Sequence, residues 1–163
     1  MRQVFYSFEY KTDNWRAAKI RNIWVVEWNK PAADNDWEEI KWNDKKIQEW
    51  IDDQLKWRSC TIVLIWERTY WRKWINYEIK KSWDDWKWVF WIYINKITDR
   101  EWNQSKKGRN PFEYFSFWEW KFSNIVKVYD PPQITSPWAY NYIAENIENW
   151  IDEAIKIRKK YPS

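Results

Sequence analysis

A single glycine, Gly108, serves all 163 residues of this chain. Glycine takes a left-handed backbone without steric cost, so it ends helices, closes tight turns and lets backbone approach phosphate. At the usual frequency of about 7%, a chain of this length would hold roughly eleven. With one, neither a GxGxxG turn nor a Walker-type phosphate loop can be written. Histidine is absent too, which removes Ser-His-Asp and Cys-His catalysis together with histidine-ligated zinc. Any chemistry must come from carboxylates, hydroxyls, aromatics and cations.

Tryptophan occupies many of the places where glycine is expected. Of the 19 tryptophans, Trp57 stands between a helical stretch and the apolar run 60–65, at a C′ site, and Trp86 stands between a helix and the strand 89–94. Trp28, Trp42 and Trp102 each precede an asparagine in a turn context. Trp24, Trp66, Trp71, Trp88, Trp91, Trp118, Trp120 and Trp138 complete a set of glycine-like positions. Trp15, Trp37, Trp50, Trp74, Trp83 and Trp150 fall in helical contexts that suit the residue. One mechanism accounts for this pattern: a gene from a bacterial lineage that reads UGA as glycine, translated with UGA read as tryptophan. A tryptophan-rich binding face fits worse, because stacking platforms gather on one side and these residues are scattered over nearly every loop.

Charged residues at 32% and hydrophobic residues at 45% place the chain among globular proteins, and its length suits one domain over 1–163. The net charge of +4 is spread among interleaved acids, so no basic block offers a track for nucleic acid. Cys60 is the sole cysteine and reads as a small buried residue. No leader-like or membrane-spanning apolar stretch is present, so no membrane association and a cytoplasmic location are expected.

Strands are expected at 4–8, 23–26, 61–65, 89–94 and 125–129. Helices fall between them: one near Trp15 to Ile20 with Asp13 as N-cap, one over 43–56, and one over 70–85. A last helix over 136–161 opens on Ser136 as N-cap with Pro137 behind it. Residues 95–124 form a long excursion. Alternating strands and helices with continuous apolar strands predict an α/β fold: a central parallel five-stranded sheet in a flavodoxin-like, three-layer arrangement with order 2-1-3-4-5. Such sheets bind ligands beyond the carboxyl ends of their strands, here the rim of 8–11 and 66–69.

The run Val4-Phe5-Tyr6-Ser7-Phe8 resembles the first strand of Toll/interleukin-receptor (TIR) domains. Trp74-Ile75-Asn76-Tyr77-Glu78 is similar to the W-x-x-x-E element on the third helix of NAD-cleaving TIR domains. With the segments 37–40, 59–65 and 89–94, the chain resembles the TIR-like proteins of the Thoeris antiphage system over about residues 2–113. The resemblance implies that Glu78 is catalytic and that Trp74 helps to form the nicotinamide site. It further implies an NAD nucleosidase or cyclase making an ADP-ribose or cyclic ADP-ribose-type signal for a separate effector protein. NAD is then substrate, no further cofactor or metal is called for, and self-association into a homo-oligomer is in keeping.

The residues agree with this chemistry. A spacing of four puts Trp74 and Glu78 on one helical face, and a fixed carboxylate suits an oxocarbenium-like transition state. Ser7 at the strand end is a candidate substrate contact, and Phe8 and Tyr10 are candidate aromatic walls. Taken singly, Glu78 would read as a solvated helix residue and Trp74 as core. Asp34 and Asp36 read as loop and N-cap residues, and Arg16 and Arg21 as surface residues with a lesser claim on the NAD phosphates. A non-catalytic TIR-like interaction scaffold is the alternative function. A phosphoacceptor receiver lacks its acidic cluster and its strand-end aspartate.

Overall fold

Apolar side chains at successive positions can all be buried only in a strand covered on both faces, so continuous runs mark the centre of a sheet. The computed structural model describes residues 3–23, 43–69, 72–114, 116–117 and 120–161. In chain order its elements are β1 (Val4–Ser7), α1 (Tyr10–Arg21), α2 (Asp44–Lys56), β2 (Cys60–Ile65), α3 (Lys73–Asp84) and β3 (Trp88–Tyr93). There follow a 3-10 turn (Pro111–Tyr114), β4 (Ser116–Phe117), β5 (Trp120–Lys121), α4 (Phe122–Ile125), β6 (Val128–Tyr129) and α5 (Ser136–Lys160).

Among the described residues the main sheet is parallel, with four strands in the order β1-β2-β3-β6. Val4 to Ser7 lie opposite Cys60 to Val63, and Cys60 to Ile65 lie opposite Trp88 to Tyr93. The chain is therefore α/β, and the described strands keep the expected order with the second strand left aside. Ile23 follows α1 outside any strand, and 24–26 lie outside the described residues. The segments 37–40 and 34–36 also lie outside them.

Alternation along β1 separates two clusters. Phe5 packs with Ile47, Ile51 and Leu55 of α2 and with Trp74 of α3. Val4 and Tyr6 join the main core with Ile20, Ile79, Phe90, Ile143 and Ile151. The far end of α5 is tied to α3 through Arg158, whose Nη2 donates to the Trp83 carbonyl at 3.0 Å.

Several boundaries differ from expectation. The segment 95–124 builds the 3-10 turn, an antiparallel β4–β5 pair and the start of α4, and the final strand shrinks to β6 because Phe122–Ile125 is helical. Phe122 lies under Trp83, with ring centroids 4.8 Å apart, and beside Phe112 at 5.1 Å, which favours the tight turn over an extended chain. α1 begins at Tyr10 after Glu9, so Asp13 lies inside the helix. α5 has Thr135 at its N-cap, and the Ser136 hydroxyl accepts from the Thr98 N–H at 3.0 Å. Trp57 caps α2 with φ −100°, an ordinary conformation and not the left-handed one expected there. Trp86 and Trp102, by contrast, have φ of 62° and 66°.

Candidate active site

α3 buries Ile75, Glu78, Ile79, Ser82 and Trp83. A carboxylate on a buried helical face is unfavourable unless hydrogen bonds replace water. Glu78 is fully buried, and Ser7, also fully buried at the end of β1, donates its hydroxyl to Glu78 Oε2. The sheet and the helix thus meet at this carboxylate. One turn further along α3, Ser82 Oγ donates to the Glu78 carbonyl at 2.6 Å. It also lies 2.8 Å from Thr61 Oγ1 of β2. With the Ser82 proton committed to Glu78, Thr61 is the donor in that second bond. The backbone carrying the carboxylate is therefore fastened to the central strand.

Phe8 is fully buried in the main core, with the Arg21 guanidinium 5.7 Å from its ring centre. Trp74 is half-buried against the α2 cluster and makes an edge contact with Tyr77 at 6.0 Å. Tyr10 opens α1, but its side chain lies outside what is described. The site therefore brings Ser7 to Glu78. Phe8 sits one residue beyond Ser7, with its ring turned into the core.

The arginines differ from the surface reading, since Arg16 and Arg21 are both buried. Arg16 holds the loop after β3, donating from Nε to the Ile97 carbonyl at 2.8 Å and from Nη2 to the Asn103 carbonyl at 3.0 Å. Trp66 follows β2 on the same rim and is buried. Gly108 presses on it so closely that a Cβ there would stand 1.9 Å from the Trp66 carbonyl oxygen. The one glycine thus serves close backbone approach.

One pair at the rim escaped the sequence reading. Glu9, buried two residues after Ser7, forms an ion pair with Arg72, the N-cap residue of α3. Its only sequence signal is a charge at each of two element junctions, which no spacing rule connects. A separate cleft of about 910 Å³ lies between α1, the loop after β3 and the start of α5, lined by Lys19, Thr98, Trp102, Ser136 and Tyr140. It contains neither Ser7 nor Glu78, so hydrogen-bond geometry, and not cavity size, locates the candidate site.

Residues 5–99 match the family model described as Thoeris protein ThsB, TIR-like domain. The chain belongs to the Thoeris ThsB TIR-like family. The matched span holds Ser7, Glu9, Arg72 and Glu78. One curated relative of this TIR-like chain, from Bacillus cereus (strain MSX-D12), is named "Putative cyclic ADP-D-ribose synthase ThsB1". The two are 35% identical over 122 residues, which cover 71% of this chain and 64% of the relative. The chain thus spans less than two thirds of that protein's length.

Proposed function

We propose that this TIR-like protein cleaves NAD at the nicotinamide–ribose bond and passes the product, a free or cyclic ADP-ribose, to an effector protein in antiphage defence. The observation that carries the reading is the buried Glu78 carboxylate, fixed by the Ser7 hydroxyl at the carboxyl end of β1. That is the edge at which parallel sheets bind ligands. The name of the 35% identical relative supports the same chemistry.

The nicotinamide of NAD leaves as a neutral base, taking the electron pair of the C1′–N bond, so departure needs no acid. The demand falls on the ribose, which becomes oxocarbenium-like. A carboxylate set in a water-poor site stabilises that charge without having to reorient. Ser7 holds the carboxylate in one orientation. A nucleophile then attacks C1′ and sheds its proton: water gives ADP-ribose, and a group of the same molecule gives a cyclic product. Both Glu78 and Ser7 are buried, so a sugar reaches them only when rim side chains move aside, and their return over the bound sugar favours the internal nucleophile over water.

The test is to incubate the purified full chain with NAD and separate the products by chromatography. Nicotinamide appearing with an ADP-ribose species is the expected result. NAD unchanged both in isolation and with phage-infected cell extract would turn the reading toward the interaction scaffold.

A further inference from the structure

We infer that Arg72 is a substrate-binding residue of this site and takes the diphosphate of the dinucleotide. The inference rests on the NAD-cleaving reading for its ligand. The geometry is that of two junctions meeting. Glu9 is two residues past Ser7, and Arg72 is six residues ahead of Glu78, so the ion pair brackets the Ser7–Glu78 hydrogen bond from outside. Six residues of helix amount to about 9 Å of rise. A dinucleotide runs from the anomeric carbon through one sugar ring and one methylene to its phosphates. A ribose held at Glu78 with its methylene toward the α3 N-terminus therefore sets its diphosphate beside Arg72.

Arg72 is suited to wait there. Its side chain is 45% exposed, while that of Glu9 is 5% exposed, so the pair is anchored at the acid and open at the guanidinium. Guanidinium offers five N–H donors in a planar fork, and one carboxylate leaves part of that fork available. The first turn of α3 carries no acidic residue, so nothing in that turn opposes an anion where the helix dipole favours one. Buried Glu9 then has a positioning role: it fixes the guanidinium with one edge turned to the substrate.

The test compares ligands with and without a diphosphate. ADP-ribose binding is measured by calorimetry, and turnover of NAD is set beside turnover of nicotinamide riboside, which has the scissile bond and no phosphate. Arg72→Gln is expected to weaken ADP-ribose by about tenfold or more, the scale of one charge-assisted hydrogen bond. It should raise KM for NAD while leaving kcat and nicotinamide riboside turnover near wild type, and Arg72→Lys should recover part of the loss. Since Arg72→Gln strands a buried carboxylate, the double variant Glu9→Gln with Arg72→Gln is measured too, and the same loss is expected. Unchanged ADP-ribose affinity, no binding by the wild type, or equal loss for both substrates overturns the inference. ADP-ribose binding that depends on Arg72 in a protein that leaves NAD intact would sink the cleavage reading and spare this one.

Discussion

Trp86 and Trp102 hold φ of 62° and 66°, where a non-glycine residue loses about 1–2 kcal/mol. Two further members of the glycine-like set, Trp66 and Trp91, are buried, and their indole N–H groups find no hydrogen-bond partner among the described residues. Trp91 is also pressed against Phe112 with ring centroids 3.1 Å apart. Both left-handed non-glycine residues among the described residues, and two unpartnered indole donors, thus belong to the set with glycine-like sequence context. Trp102→Gly is expected to raise stability by about 1 kcal/mol, because relief of strain exceeds the roughly 0.4–1 kcal/mol of extra chain entropy that glycine brings. Trp86→Gly should gain less, since the Arg158 guanidinium 4.4 Å from that ring is a closer partner to lose than the Lys19 ammonium 5.9 Å from Trp102. Trp57→Gly is the control, with ordinary φ and no gain. Thermal unfolding checks all three, and UGG codons at the thirteen positions would end the decoding explanation.

Elements with a sustained burial pattern could be read from the chain: β2 and β3 as unbroken apolar runs, and α2 and α3 from apolar residues three and four apart. The β4–β5 pair and α4, two and four residues long, are too short for any period to register. Cap positions shifted by one or more residues because tertiary partners compete for the same hydroxyls, as Thr98 does for Ser136. The anchoring of α3 to β2 was likewise hidden, because Thr61 and Ser82 meet only in the fold. Ser82→Ala removes that link and leaves the Thr61 hydroxyl buried without its acceptor. The expected loss is about 1–3 kcal/mol in denaturant unfolding, with slower NAD turnover as Glu78 loses its fixed backbone. On β3, burial pushes the Tyr93 phenol up to about 12. Burial, followed by its bond to Glu153, raises Tyr129 in the same direction. A raised phenol holds its proton better in the native state, so its contribution is complete below pH 10 and fades as pH climbs toward 12. The thermal midpoint should therefore fall over that window, and less steeply in Tyr93→Phe than in wild type.

Across the whole molecule, the parallel sheet turns separate sequence features into one place. Ser7, Ile65 and Tyr93 lie toward the same edge because β1, β2 and β3 run together in register, and α3 returns beside that edge with Glu78 inward. The W-x-x-x-E spacing located the carboxylate. Its burial and its Ser7 partner needed the fold, as did the Glu9–Arg72 pair and the inward turn of Phe8. Among the described residues no helix is long and apolar enough to cross a membrane, and no cluster of three or more His, Cys, Asp or Glu could hold a metal ion. The role proposed for Glu78 is to stabilise the oxocarbenium-like ribose as the glycosidic bond breaks. It is tested most directly by the NAD turnover number of Glu78→Gln beside the wild type, each with its thermal midpoint. A loss of about 100-fold to 1,000-fold is expected, in a protein that still melts cooperatively; turnover within a few-fold of wild type would rule that role out.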